Sequence, residues 1–248
     1  MHYLVASDLH YRLPQLDWIV DQSDDVDAVV LVGDHLDLAG HVDLGAQIAF
    51  MKRYLERLAE TTHVIVDSGN HDLSVRGDHG EKLAGWLHEL DEVITTDGQA
   101  VEIGTDLVSS CAWWEGPVTR AQVVDQLATD AHRRPTDGAW IWAYHSPPDA
   151  SPTSWSGSRH YGDDLLNELI AEHQPDVVLT GHVHEAPLRP DGSWFDVIGT
   201  TVVLNAGRQA GPVPAHIMLD TGAGEATWWT FESGERVLAL DAPTTPGR

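Results

Sequence analysis

The sequence predicts an α/β fold whose strands deliver polar side chains to loops at one edge of a sheet. Short apolar runs alternate with amphipathic segments over the first third of the chain, which is typical of a β-α-β order. The runs at residues 28–32 and 64–66 are continuously apolar, as in strands that are covered on both faces. Each run ends at residues such as Gly, Asp, Asn and His, which are typical of a loop with catalytic or ligand-binding side chains.

The first half of the chain contains three strands and two helices in this interpretation. Residues 3–7 predict the first strand, and Pro14 opens a helix whose apolar residues share one face. Residues 28–32 predict the second strand. Apolar residues at helical spacing between Leu44 and Leu58 predict a long helix, and the third strand follows at residues 64–67.

The remaining elements are shorter and less regular. Residues 82–90 predict a helix, residues 93–94, 101–103 and 107–110 predict strands, and Ala121, Val124, Leu127 and Ala131 predict a helix face. Residues 140–144 and 177–179 predict strands around a helix that Asp163 caps. Only strand-like runs follow between residues 195 and 240. The pattern does not distinguish a doubly wound sheet from a sandwich.

Length and composition predict one cytoplasmic domain. The 248 residues suffice for a full hydrophobic core, so we expect a single domain over residues 1–240 and a disordered polar tail over residues 241–248. Cys111 is the sole cysteine, which excludes a disulfide or a thiolate metal cage within one chain. We find no signal-peptide pattern and no apolar run long enough to span a membrane.

The charge of the chain is strongly negative. Lys and Arg number 14 against 39 Asp and Glu, which gives a formal net charge of −25. Such a field opposes binding to nucleic acids and to anionic membranes. A phosphate-bearing substrate would therefore need a local positive charge, and a bound metal ion supplies one.

Seven candidate metal ligands follow five of the predicted strands. They are Asp8, His10, Asp34, Asn70, His145, His182 and His184. We expect Asp8 and His10 to point the same way on extended backbone, and likewise His182 and His184. Imidazole, carboxylate and amide groups without sulfur favour Mn, Fe, Ni or Zn. Seven ligands are too many for one ion and predict two divalent ions about 3.5–4 Å apart.

Five sequence blocks resemble, in order and spacing, the motifs of the calcineurin-like metallophosphoesterases. The blocks are Asp8-Leu9-His10, Gly33-Asp34-His35-Leu36-Asp37, Gly69-Asn70-His71-Asp72, His145-Ser146-Pro147-Pro148 and Gly181-His182-Val183-His184. The resemblance implies a two-sheet β-sandwich flanked by helices, with two metal ions at one rim. By position, Asp8, His10, Asp34 and His184 would hold one ion. Asp34, Asn70, His145 and His182 would hold the other, with Asp34 bridging.

The resemblance also implies catalytic residues and a reaction. His71 matches the histidine that binds phosphate and assists the leaving group, and Asp37 matches a carboxylate that orients it. His35 departs from the apolar or aromatic residue usual in the family, and we interpret it as a packed side chain. The implied activity is hydrolysis of a small-molecule or nucleotide phosphomonoester or phosphodiester by a hydroxide that bridges the two metals.

Two alternative functions remain compatible with the sequence. A nuclease of the same superfamily would share the motifs, but it would add capping segments and a basic surface, which this short acidic chain lacks. An inactive binding module, as in a retromer subunit, would have lost ligands, whereas every ligand position is filled here. We therefore rank a small-molecule phosphoesterase first, the nuclease second and the binding module third.

The other notable residues have simpler interpretations. Trp113 and Trp114 are interpreted as hydrophobic cover rather than base-stacking platforms. Arg76 and Arg208 are interpreted as members of salt bridges rather than phosphate ligands. We do not assign His160 to the surface, because its loop directly follows the candidate ligand His145. We expect the loops at residues 113–117 and 146–162 to border the metal rim and to set substrate size. Surface positions are expected for His41, His63, His79, His88, His132 and His173.

Overall fold

The computed structural model describes residues 1–241, and these contain fourteen strands. The strands are β1 (His2–Ser7), β2 (Ala28–Val32), β3 (His63–Asp67), β4 (Val75–Arg76), β5 (Lys82–Leu83), β6 (Ala100–Ile103), β7 (Asp106–Ser110), β8 (Trp140–Ala143), β9 (Val177–Thr180), β10 (Phe195–Ile198), β11 (Thr201–Asn205), β12 (His216–Asp220), β13 (Glu225–Thr230) and β14 (Gly234–Ala239). The α-helices of the same part of the chain are α1 (Leu13–Gln22), α2 (Leu44–Leu58), α3 (Gly85–His88), α4 (Pro117–Asp130) and α5 (Asp164–His173).

Two six-stranded sheets form the centre of the fold. The first sheet has the order β14-β13-β12-β1-β2-β3, and the second has the order β10-β11-β9-β8-β7-β6. Strands β1, β2 and β3 are parallel, as are β7, β8, β9 and β11. The chain therefore builds half of the first sheet, crosses to the second sheet, and returns to complete the first.

The layers follow from the apolar runs of the strands. Because side chains alternate across a strand, Val5 and Val30 pack between the sheets with Ile141 and Leu179 of the second sheet. The opposite face of the first sheet packs against apolar residues of α1, α2 and α3, and the opposite face of the second sheet packs against α4 and α5. The expected two-sheet sandwich flanked by helices is confirmed, and a single doubly wound sheet is excluded.

Two predicted elements are wrong. Residues 82–90 do not form one helix, because Lys82–Leu83 pairs with Val75–Arg76 in a hairpin and only the short helix α3 follows. Residues 93–94 form a turn. Ile94 is buried against the outer face of the first sheet. The residue that pairs with β3 is Thr95, whose N–H donates to the Val64 carbonyl at 2.9 Å. Both errors arise from pairing between residues distant in sequence.

Two helices refine the prediction. Asp163 caps α5 as expected, with its Oδ1 accepting from the Leu165 N–H at 2.8 Å. The predicted face of α4 contacts the core of the second sheet, with Leu127 buried and Val124 and Ala131 half-buried against it. The face is shifted slightly from the prediction, because Val123 is buried and Ala121 is exposed. The 146–162 loop has local structure, including a 3₁₀ turn at Pro152–Ser154 and a bridge between Trp155 and His160.

No helix within residues 1–241 is long and apolar enough to cross a membrane. The expected single domain over residues 1–240 stays a prediction. Of the expected tail, all but Asp241 lies outside the described residues.

Candidate metal centre

The predicted ligands meet at the rim where the carboxyl ends of parallel strands from both sheets converge. Asp8 and His10 follow β1, and Asp34 follows β2. From the second sheet, His145 follows β8, and His182 with His184 follows β9. Buried carboxylates and imidazoles of both sheets therefore face one another across the top of the inter-sheet core.

The ligand loops have an unusual backbone. Asp8, His10, Asp34 and His182 have φ angles of 54°, 42°, 53° and 64°, in the left-handed region that non-glycine residues rarely adopt. The expectation that alternate residues point the same way on extended backbone is therefore wrong. Sharp turns aim these side chains, and residues held in such conformations are concentrated at functional sites.

Two glycines make room for this packing. A Cβ at Gly69 would lie 2.2 Å from Asp34 Oδ1, and a Cβ at Gly33 would lie 2.2 Å from His145 Nδ1. Gly33 also has a φ of 62°. The glycines that precede Asp34 and Asn70 therefore permit the close approach of loops from different strands.

The side chains form two groups that share one carboxylate. Asp8, His10, Asp34 and His184 form the first, and Asp34, His145 and His182 form the second, with ligand atoms in each group within 4.8 Å of one another. In the first, His10 Nε2 lies 3.0 Å from His184 Nε2, and His184 Nε2 lies 3.2 Å from Asp8 Oδ1. Ligand atoms around one ion at about 2.0–2.2 Å are spaced in this way. This cluster suggests a dimetal site.

Unpaired buried atoms provide an independent test of that fit. Asn70 Oδ1 and His145 Nε2 are buried and have no hydrogen-bond partner within residues 1–241. An unpaired buried polar atom costs about 1–3 kcal/mol, which a bound cation would offset. His145 Nδ1 lies 2.9 Å from the Val32 carbonyl, an arrangement that fixes the ring and leaves Nε2 available for an ion. The residues present fit two cations.

The electrostatics of the group also suit ion binding. Burial lowers the pKa of His10 and of His182 to about 4, so both rings are neutral and able to ligate near neutral pH. Burial opposes the charged form of His145, but Asp34 and Asp8 outweigh it and raise its pKa to about 10. The pKa of Asp34 is held below its usual value because His145 outweighs the effect of burial. An ion at His145 would therefore displace a proton.

His71 lies at the open edge of the centre. Its side chain is 30% exposed, and its Nε2 is 3.9 Å from Asp34 Oδ2. Its ring packs edge-on against His10, with centroids 4.7 Å apart. The Asp37 carboxylate instead accepts from the Ala39 N–H at 3.0 Å, and no hydrogen bond joins Asp37 to His71 within residues 1–241. The expectation that Asp37 orients His71 stays a prediction.

Asp72 has a structural role that the sequence analysis did not assign. Its Oδ1 accepts from the backbone N–H groups of His35 and Leu36 at 3.0 and 3.1 Å, and its Oδ2 accepts from Gly69 N–H at 2.9 Å. The buried carboxylate thus joins the loop of Asp34 to the loop of Asn70. His35 is fully buried beside it, with Nε2 2.8 Å from the Asp67 carbonyl, which agrees with a packed side chain.

A cavity of about 580 Å³ adjoins the centre. Trp113 and Trp114 line it from one loop, Ser146 and Tyr161 line it from the other, and His182 lies at its boundary with the ligand group. The expectation that both loops border the metal rim is confirmed.

The two arginines do not form the expected salt bridges. Within residues 1–241 no carboxylate lies within 4.0 Å of the Arg76 or Arg208 guanidinium. Arg76 is exposed and donates to the Gly80 carbonyl. Arg208 is half-buried, and its backbone N–H donates to the His184 carbonyl at 3.0 Å. Burial and the nearby Arg12 lower the pKa of Arg208.

The remaining histidines divide into surface and structural residues. His160 Nδ1 lies within hydrogen-bonding distance of Ser154 Oγ and the Ser151 carbonyl, so it stabilises its own loop. His173 is half-buried against the edges of Trp140 and Trp142. The other predicted surface histidines are exposed, namely His41, His63, His79, His88 and His132.

Comparison with known proteins identifies both a family and a fold. The family model described as calcineurin-like phosphoesterase matches residues 1–186. The protein TT1561 of Thermus thermophilus is 16% identical with a TM-score of 0.61, over 96% of this chain and 98% of that one. A dimetal phosphatase from Danio rerio is 12% identical with a TM-score of 0.54, over 97% and 98%. A purple acid phosphatase from yellow lupin seeds is 13% identical with a TM-score of 0.59, over 99% of this chain and 56% of that one. A search of curated proteins finds no match.

Proposed function

Because the chain belongs to the calcineurin-like phosphoesterase family, we propose that it is a dinuclear metal-dependent hydrolase of small-molecule or nucleotide phosphoesters. The observation that carries the proposal is the pair of ligand groups that share Asp34. A carboxylate common to two groups of imidazoles is the arrangement that a two-ion centre requires. The strongly acidic chain disfavours nucleic acids as substrates.

Two divalent transition ions of the Mn, Fe, Ni or Zn type fit these donors. Asp8, His10, Asp34 and His184 would hold one ion, and Asp34, Asn70, His145 and His182 would hold the other. When bound, such ions activate water for attack at phosphorus and neutralise the non-bridging oxygens of the ester. The residues of this chain then have to hold the ester in place and deliver a proton to the departing oxygen.

His71 is suited to that proton transfer. It adjoins the ligand group through Asp34 and His10, yet its side chain remains partly exposed toward the cleft where a substrate would lie. A histidine that contacts the phosphate side of the centre without ligating an ion can act as the general acid. Arg208 is half-buried and has no carboxylate partner within residues 1–241. Its charge acts on His10 and on Asp8, so it adds positive charge at the first ligand group for the anionic substrate.

The test measures metal content and hydrolysis together. We expect the purified protein to bind two divalent ions per chain and to hydrolyse aryl phosphomonoesters or phosphodiesters with Mn, Fe, Co, Ni or Zn. Asp34→Asn should lower both metal content and activity, because a neutral amide is a poor bridge between two cations. The exposed Asp125→Asn is the matched control and should change neither. Saturation at one ion, or no hydrolysis with any of these metals, would refute the proposal.

A further inference from the structure

Trp113 contributes little to the hydrophobic cores of the fold, unlike its neighbour Trp114. Trp114 packs against the core of the second sheet, and its Nε1 donates to Tyr144 Oη at 2.6 Å and to Asp163 Oδ2 at 2.7 Å. Trp114 therefore fits its interpretation as hydrophobic cover. Trp113 is half-buried, belongs to none of the three core clusters of residues 1–241, and its Nε1 makes no hydrogen bond within those residues.

The Trp113 indole is held between the ligand group and the cavity. Its backbone N–H donates to Ser68 Oγ at 3.0 Å, which anchors the loop next to β3. Its ring centroid lies 5.2 Å from that of His182 and 5.8 Å from that of His145. Both histidines belong to the second set of candidate metal ligands. The leaving group of a substrate bound there would therefore extend into the cavity along the indole.

The cavity offers a mainly apolar surface with a large aromatic contribution. At about 580 Å³ it has the size of a small-molecule site. The Asp163 carboxylate is engaged by Trp114 and Tyr144, and Glu115 pairs with Lys82 at 3.6 Å. Arg120 lies over the Trp114 ring, 5.6 Å from its centroid. Glu115, Arg120 and Asp163 are thus already partnered, the remaining carboxylate, Asp164, is exposed, and an aromatic wall remains for a ligand.

We propose that Trp113 stacks on the base of a nucleoside leaving group, so that the preferred substrates are phosphoesters of nucleosides. This inference rests on the proposed function, because it places the leaving group beside the metal centre. Two side chains that line the cavity, Trp113 through its indole N–H and Ser146 through its hydroxyl, make no side-chain hydrogen bond within residues 1–241. These groups can form hydrogen bonds with the polar edge of a base. The face of the indole can stack on the base, and such stacking does not depend on which base is present.

The test compares two ligands that differ only in the base. They are the phosphonate analogues of adenosine 5′-phosphate and of ribose 5-phosphate, in which a methylene replaces the ester oxygen and prevents hydrolysis. Isothermal titration of the metal-loaded protein should show about 5- to 100-fold tighter binding of the adenosine analogue, the range typical of base stacking on an aromatic side chain. Trp113→Ala should remove most of this preference, and Trp113→Phe should retain most of it.

The control is Trp229→Ala, since Trp229 is also half-buried but stacks on His216 in the first sheet, outside the cavity. It should leave the preference unchanged. Equal affinity of the wild-type protein for the two analogues would overturn the inference, and this outcome does not depend on how any variant folds. An equal loss of affinity for both analogues in Trp113→Ala, with metal content reduced, would assign Trp113 to positioning His182. If the protein hydrolyses aryl phosphoesters but binds the two analogues equally tightly, the proposed function stands and this inference fails.

Discussion

Asp34 connects the two halves of the centre at the scale of a single residue. One of its oxygens accepts from the His71 N–H at 2.9 Å, and the other lies 3.4 Å from His145 Nε2. Its charge is almost completely buried, so it needs compensating positive charge nearby. His145, whose pKa Asp34 and Asp8 raise to about 10, is one source of that charge, and two bound cations would be another.

His71→Ala should separate the general acid from the metal ligands. We expect both ions to remain bound, because His71 belongs to neither ligand group. Activity should fall by about 10²–10⁴-fold on alkyl phosphoesters and much less on aryl esters, whose leaving groups depart without a proton. Rates on the two ester classes, with metal analysis, would measure this. The exposed His132→Ala is the control, and equal losses on both classes would instead make His71 a phosphate clamp.

Asp97→Asn should change how stability depends on pH. Burial raises the pKa of Asp97 from 3.8 to about 6, although the Ser68 N–H donates to its carboxylate at 2.7 Å. The folded state therefore binds this proton more tightly than the unfolded state, and the stability it contributes is complete below about pH 4 and lost as pH rises through about 6. The variant has no titratable group at position 97. Its free energy of unfolding relative to wild type should therefore increase by about 1–3 kcal/mol between pH 4 and pH 7.

Urea unfolding of Asp97→Asn and wild type across this pH range measures the difference directly. The exposed Asp125→Asn should run parallel to wild type. A constant offset between Asp97→Asn and wild type at every pH would show that Asp97 does not titrate in this window.

The sequence was informative about ligands because their chemistry is local. Imidazoles and carboxylates directly after strands are visible as residue types, and the structure brings the predicted carboxylates and imidazoles together. The left-handed backbone conformation of Asp8 and His182 was not predictable, because neither residue type indicates a positive φ. The different environments of Trp113 and Trp114 were not predictable either, because they depend on tertiary packing: the Trp114 ring packs against the core of the second sheet and the Trp113 ring does not.

At the scale of elements, the strand-to-loop junctions determine whether the centre can form. Gly69→Ala places a methyl group 2.2 Å from Asp34 Oδ1 and 2.4 Å from Asp34 N, so the loop after β3 or the loop after β2 has to move. We expect at least one ion to be lost and activity to fall at least 10²-fold, because a shift of about 1 Å at a reacting centre has this effect. Metal analysis and aryl ester hydrolysis measure both losses.

Gly222→Ala is the control for that substitution. At Gly222 the nearest atom to an added Cβ would be an Asp220 side-chain oxygen at 3.3 Å, far from the centre. It should retain both ions and full activity. Two bound ions in Gly69→Ala would show that the loops adjust and that the close approach is not essential.

Elements with long apolar patterns were predictable, and elements made by distant pairing were not. Strands β1, β2 and β3 are clear in the sequence because each contains a continuous apolar run between turn signals. The hairpin of β4 and β5 has two residues per strand, so its pairing leaves no periodic pattern to detect. The assignment of strands to two sheets came from the family resemblance, since alternation alone describes each strand but not its neighbours.

At the scale of the whole molecule, the centre lies across the two sheets. Asp8, His10 and Asp34 belong to loops of the first sheet, whereas His145, His182 and His184 belong to loops of the second. At this rim Asn70 Oδ1 and His145 Nε2 are buried above the apolar core between the sheets and have no hydrogen-bond partner within residues 1–241. Ion binding would therefore join the two sheets at one end of the sandwich.

Metal removal should consequently lower the thermal stability of the entire fold. An ion that binds only the folded state stabilises it by about 2.7 kcal/mol when its free concentration is 100 times the dissociation constant. For a chain of this size about 1 kcal/mol corresponds to about 2–4 °C, so chelation should lower Tm by about 5–10 °C per ion. Calorimetry of chelated and Mn- or Zn-loaded protein measures this. Asp34→Asn should show little of the metal-dependent shift, because its bridge is lost, whereas Asp125→Asn should show all of it. An unchanged Tm in the wild-type protein, with two ions demonstrably bound, would mean that the ions bind the unfolded chain equally well and do not join the sheets.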